Sequence, residues 1–177
     1  MDKLSFLMST IALILYSLSY FFNNKKSFLI LQLTGNVFLS VSYLVMGSYF
    51  TMFSVLIGIA RGLLCYVYEK KDKKVPIFVV AGLCAATVAG FVVVNYVVLA
   101  QASPWDVLYL CASCMYSITF AMRNIKRMRY VTLVPHTLAV AYNLLIHAPI
   151  TSAMSYAIEL VVTVVAIIKF DLIKRRK

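Results

Sequence analysis

Residues 16–26 read YSLSYFFNNKK, and residues 116–126 read YSITFAMRNIK. Sliding the chain by 100 residues sets Tyr16-Ser17 on Tyr116-Ser117, Asn24 on Asn124 and Lys26 on Lys126. The register runs on without a gap: Leu33 falls on Leu133, Leu44 on Leu144 and Thr51 on Thr151, seven identities over residues 15–71. Apolar helical segments match often by chance, so the shared order counts for more than the identities. In each copy an apolar run closes on Asn and Lys, and two further apolar runs follow at matched spacing. A long-period repeat of this kind constrains the fold before any local reading.

The bulk composition says what surrounds the repeat. Of 177 residues, 63% are apolar and 13% charged, and mean hydropathy is +0.90. A soluble domain carries about half apolar and about a quarter charged residues. This chain has more apolar surface than a water-facing fold can hide, and a bilayer removes that requirement. A helix crosses a bilayer with about 20 mostly apolar residues. Seven such runs are present: residues 4–22, 28–46, 50–68, 75–99, 106–122, 130–146 and 150–170. Gly47-Ser48-Tyr49 and His147-Ala148-Pro149 give turn signals inside each triplet. The first run lacks an A-x-A-like cleavage site and continues into Asn23-Asn24-Lys25-Lys26, so it reads as a helix and not as a signal peptide. The pattern predicts an all-α membrane protein with seven transmembrane helices. They form two parallel three-helix bundles, residues 1–71 and 104–177, joined by a linker helix in residues 72–103. The linker turns the chain over once, which gives both triplets the same orientation.

Orientation follows from the basic residues. Fifteen of the seventeen Lys and Arg fall on one side of this layout: Lys25 and Lys26; Lys70, Lys71, Lys73 and Lys74; Arg123, Lys126, Arg127 and Arg129; Lys169 and Lys174 to Lys177. The positive-inside rule puts that side in the cytoplasm, with the N-terminus outside. The net charge of +11 therefore reads as loops lying against anionic membrane lipid. No basic, aromatic-interleaved polar face is present, which excludes nucleic acid as a partner. Cys65, Cys84, Cys111 and Cys114 all lie in apolar runs. The Cys111–Cys114 spacing suits a metal or redox pair, but no further ligand stands near, so all four read as small apolar side chains. No cofactor is implied.

Ionisable groups at bilayer depth are expensive and mark candidate sites. Arg61 lies in the third run and Glu159 in the seventh. Under the shift Glu159 falls on Ile59, two residues from Arg61, so the two charges stand at similar depth and could pair across the bundles. Either they bind a substrate or proton, or they fix packing as a structural ion pair. In the second run Gln32, Asn36, Ser40 and Tyr43 share one helical face. Their shifted partners are Thr132, His136, Val140 and Asn143, and the seventh run adds Ser152, Ser155, Glu159 and Thr163. Such stripes point inward because lipid cannot satisfy them. Ser and Thr there serve as interhelical glue worth about 0.6 kcal/mol each, whereas Asn36 and His136 are candidates for a pathway, His136 as a proton carrier. Tyr16 and Tyr116 are equivalent aromatics placed to flank a substrate, and Pro135 is placed to kink the sixth helix.

Several short motifs carry a family resemblance: Phe22-Asn23, Gln32-Leu33, Leu44-Val45-Met46-Gly47-Ser48-Tyr49, Ile59-Ala60-Arg61 and Ile167-Ile168-Lys169-Phe170. On these the chain resembles the YgjV-like bacterial inner-membrane proteins along nearly its whole length. Its three-one-three layout is similar to that of the SWEET and PnuC transporters. SWEET-like proteins usually carry a proline in the first helix of each triplet, and runs one and five here have none. The resemblance implies a bacterial inner membrane location.

Parallel repeats occur among transporters, with the substrate site at the repeat interface near mid-membrane. The sequence therefore points to a transporter or facilitator for a small polar metabolite, with Tyr16, Asn36, Arg61, Tyr116, His136, Asn143 and Glu159 as its substrate-binding residues. The alternative is a membrane scaffold or interaction protein in which the same groups are structural. An enzyme would need convergent catalytic groups, and His136 with Glu159 is the one constellation on offer. The chain is not read as an enzyme.

Overall fold

An asparagine stands before the second helix of each repeat, and it decides where that helix begins. In the computed structural model the Asn24 side-chain oxygen accepts the Lys26 backbone N–H at 3.0 Å. The Asn124 oxygen accepts those of Lys126 at 3.0 Å and Arg127 at 3.3 Å. Both are N-caps, which satisfy amide donors that the first helical turn leaves open. Replacing either asparagine with alanine should destabilise its own unit by about 1 kcal/mol, read as a lowered unfolding midpoint in detergent.

The structure describes residues 3–45, 49–93, 103–145 and 150–173. Seven α-helices follow in order: α1 (Lys3–Ser19), α2 (Lys25–Val45), α3 (Tyr49–Lys70), α4 (Ile77–Val92), α5 (Asp106–Ala121), α6 (Ile125–Leu145) and α7 (Ile150–Ala166), the last extended by a π-helical turn, Ile167–Leu172. No strand occurs among the described residues. The turns read at Gly47-Ser48 and His147-Ala148-Pro149, the far end of the fourth run, the Ser152 side chain and the basic cluster Lys174 to Lys177 lie outside them. Among the described residues, only α2 is by itself long and apolar enough to cross a bilayer, at 21 residues. Helices α1, α4 and α5 are apolar but shorter, at 17, 16 and 16 residues. At 1.5 Å per residue they reach about 24–26 Å. Helix α1 stops at Ser19, short of the apolar run, because Phe21 and Phe22 donate to the carbonyls three residues back, Leu18 and Ser19.

The chain divides into two compact units, residues 1–75 and 76–177. In the first, α2 packs against both α1 and α3. In the second, α6 packs against both α5 and α7, and α4 lies on α5. Burial follows the 100-residue register more closely than identity does. Ala12 and Ala112, Tyr20 and Phe120, Phe28 and Met128, and Ser19 and Thr119 are all buried. The opposite faces carry exposed apolar side chains, among them Phe6, Ile77, Phe78, Val107, Leu144 and Val161. Contiguous apolar surface of this kind suits lipid and not water.

Three polar layers tie the helices within each unit. At the start of α1 the Ser5 and Ser42 hydroxyls lie 2.9 Å apart. In the equivalent place Tyr142 donates to Asp106 at 3.3 Å, while the Ser103 N–H donates to the other Asp106 oxygen at 2.8 Å. At the opposite end Lys25 pairs with Glu69 at 3.1 Å, and Arg129 with Asp171 at 3.5 Å. Lys25 and Arg129 read from sequence as members of basic loop clusters lying against anionic lipid, and the structure turns both inward. The Asn24 cap draws Lys25 into the first turn of α2. Arg129 lies one turn into α6, where its guanidinium is 1% exposed, stacks on Phe170 at 5.2 Å and meets a carboxylate 3% exposed. The middle layer holds the candidate site residues.

Candidate functional site

In the first unit the middle layer starts from Tyr16 on α1. Its hydroxyl donates to the Asn36 side-chain oxygen at 3.0 Å. The Asn36 amide in turn donates to the Gln32 carbonyl at 2.9 Å. Gln32 donates to the Ser19 hydroxyl at 2.9 Å, and Ser19 donates to the Tyr16 carbonyl at 2.6 Å. The ring closes on itself and fixes which way the Asn36 amide points. Gly35 makes this possible: a Cβ there would stand 2.6 Å from the Tyr16 ring. Helix α3 reaches the same place through Gly58. A Cβ on Gly58 would lie 3.2 Å from the Asn36 oxygen and 3.7 Å from the Arg61 guanidinium. Asn36 and Arg61 thus both border the bare backbone at Gly58, and Arg61 is half-buried.

The second unit repeats the plan with different chemistry. The Tyr116 hydroxyl lies 2.7 Å from His136 Nδ1, and the two rings meet edge to face at 5.5 Å. Glu159 on α7 brings Oε2 to 3.8 Å from the same nitrogen. His136 is fully buried and Glu159 is 9% exposed. Thr163 sits one turn along α7 and returns its hydroxyl to the Glu159 carbonyl at 2.7 Å. Pro135 takes the place of Gly35. It has no N–H to give, so the Val131 carbonyl lacks its helical donor.

The structure therefore brings six of the seven expected residues into two equivalent clusters, Tyr16–Asn36–Arg61 and Tyr116–His136–Glu159. Each joins the first and second helices of its triplet by a tyrosine and adds a charged group from the third. Asn143 is buried but apart from its cluster, two turns beyond His136 on α6, with its amide on the Ala139 carbonyl at 2.7 Å. The stripes face inward as expected: Gln32, Thr132, His136, Glu159 and Thr163 are all buried. Sequence reasoning passed over the glycines. Gly58 and Gly62 form a small-xxx-small pair, a recognised signal of close helix approach, and a Cβ on Gly62 would lie 2.8 Å from Leu33. It also passed over Glu69, Asp106 and Asp171 as partners of buried groups. Among the described residues no three His, Cys, Asp or Glu converge on a metal position, and none of the four cysteines is in a disulfide.

The family model Imp-YgjV, described as a bacterial inner membrane protein, matches residues 3–174. No curated protein and no solved structure matches the chain. The matched stretch takes in all seven helices and both tyrosine clusters, and it accords with the apolar outer faces. The chain belongs to the Imp-YgjV family of bacterial inner membrane proteins.

Proposed function

We propose that this protein is a small-molecule transporter or facilitator of the three-one-three layout, in which α4 links two parallel three-helix repeats. In this reading the N-terminus faces outward and the C-terminus the cytoplasm, and the two tyrosine clusters are the parts of the repeats that contact substrate. One observation carries it. Each repeat places a tyrosine hydroxyl on the same position of its second helix, and near it an ionisable side chain on its third helix, basic at Arg61 and acidic at Glu159. Charged groups held at mid-helix in a bilayer protein are costly, and where they face protein they commonly mark a substrate or ion pathway. A basic and an acidic side chain at equivalent places in the repeats suit a small polar metabolite. The SWEET and PnuC likeness of layout supports the class of activity and does not identify a substrate. The proposal is for transport and not for an enzyme.

The test is a thermal-shift panel of sugars, nucleosides, vitamins and amino acids on purified protein, followed by uptake of any hit into liposomes. A ligand of the folded state present at 100 times its Kd stabilises by about 2.7 kcal/mol. The expected result is a hit that is lost in Asn36→Ala and in Glu159→Gln, with uptake lost alongside it. Uptake unchanged in Glu159→Gln would remove the second cluster from the pathway. The membrane-scaffold reading draws on the closed ring Tyr16–Asn36–Gln32–Ser19, whose bonds are all internal. It is favoured if no ligand shifts the protein and both variants are simply less stable.

A further inference from the structure

The two clusters differ in what their central residue can do with a proton. Asn36 has fixed roles: its oxygen accepts from Tyr16, and its amide donates to the Gln32 carbonyl. Neither group changes charge at any pH the protein would meet. His136 stands in the same place with a nitrogen whose role is reversible. With Nδ1 bare, the Tyr116 hydroxyl donates to it. With a proton on Nδ1, the ring donates instead, and the tyrosine oxygen becomes the acceptor. The carboxylate needed to balance that proton is at hand, with Glu159 Oε2 3.8 Å from the same nitrogen.

We propose that Tyr116, His136 and Glu159 form a proton-binding site, and that the Tyr16–Asn36 cluster is its non-titrating counterpart. The site takes one proton per protein. Its arrival at Nδ1 reverses the Tyr116–His136 hydrogen bond and draws the Glu159 carboxylate towards the imidazolium. Its departure restores the tyrosine as donor. No covalent bond other than that N–H is made or broken.

The ionisable groups around the pair are few and can be named. From α5 the facing ionisable group is Tyr116. On α7, Tyr156 lies one turn from Glu159. On α6 the nearest charged residue is Arg129, seven residues from His136, about 10 Å along the helix, and its partner is Asp171 from the π-helical turn. At the other end of α6, Tyr142 is bonded to Asp106 of α5. These outer pairs are closed within their own layers. If the proposed transport holds, this proton is the coupling ion of that site, and only that coupling role rests on the transport reading.

The chain has two histidines, which makes the test direct. Full-length protein carrying His147→Gln, labelled with 15N-histidine and placed in lipid nanodiscs, gives one imidazole signal. The expected result is a pH-dependent change of its two nitrogens, with Nδ1 gaining the proton. Glu159→Gln should move that change to more acidic pH by a unit or more, because the imidazolium loses its counter-charge. His136→Asn copies the first repeat and serves as the folding control, with the pH dependence of stability in the imidazole's titration range expected to be lost. An imidazole that keeps one protonation state and one tautomer at every pH where the protein stays folded overturns the site. So does a titration unmoved by Glu159→Gln. Proton binding is read here without any substrate. A titrating His136 with no uptake of any ligand therefore removes the transport reading alone. Uptake with a silent His136 removes this one alone.

Discussion

Replacing Arg129 with alanine is expected to destabilise the second unit by about 3–5 kcal/mol, because it strands the Asp171 carboxylate in the interior. Asp171 is 4% exposed, and its second oxygen is buried with no hydrogen-bond donor. Arg129 supplies the close opposing charge at 3.5 Å, and its guanidinium also covers the Phe170 ring. Lys126 stands 3.9 Å from the same carboxylate, but its side chain is 42% exposed. Exposed pairs contribute at most about 1 kcal/mol, so Lys126→Ala should be several-fold milder. Two further variants separate charge from packing. Arg129→Lys keeps the charge but loses the planar stack on Phe170, and it should fall between wild type and Arg129→Ala. Arg129→Met combined with Asp171→Leu removes both charges and fills the volume, and it should recover most of the loss. Unfolding in a denaturing detergent series, followed by circular dichroism, measures all four. Equal effects of Arg129→Ala and Lys126→Ala would mean that water, and not the guanidinium, neutralises Asp171.

That pair also shows where reading the sequence stops. Lys126, Arg127 and Arg129 look alike as a basic run beside an apolar stretch. Only the position of the helix start separates them. Once Asn124 caps α6, residues 128, 129 and 132 share the inward face, while Arg127 points outward. A cap shifted by a single residue would turn a different basic side chain inward. Lys25 is the same case one repeat earlier. The repeat, the seven helices and the inward stripes were legible because they are periodic over many residues, and errors at helix ends do not erase them. Tyr16 and Tyr116 were legible as equivalents, and His136 and Glu159 as a possible constellation. The bonds from the tyrosines to residues 36 and 136 were not, because sequence does not show how closely two helices approach. Pairing of Arg129 with Asp171 spans 42 residues and depends on a π-helical turn that no pattern in Ile167–Leu172 announces.

Close approach leads to the second large effect. Gly35→Ala should destabilise the first unit by about 1–3 kcal/mol, the usual cost of overpacking a filled interior. The added Cβ would stand 2.6 Å from Tyr16 Cε1 and 2.8 Å from Cδ1, too near for both to stay. Tyr16 has little freedom to move. It is 9% exposed, and its hydroxyl is held by Asn36. The substitution should therefore break the Tyr16–Asn36 bond as well as crowd the ring. The clash acts against the gain of about 0.5–1 kcal/mol that alanine normally brings to a helix over glycine. Gly82 on α4 isolates that gain, since nothing lies within 4 Å of a Cβ there. Gly82→Ala should leave the protein unchanged or slightly more stable. Gly62→Ala should fall between, because the atom it meets is the end of the flexible Leu33 side chain. A double-mutant cycle completes the argument: with Tyr16→Ala in place, Gly35→Ala should lose most of its cost, since the two residues couple only through that contact. Additive costs in the cycle would place the damage in the α2 backbone and not at the tyrosine, and Gly35 would then have no part in setting the geometry of the first cluster.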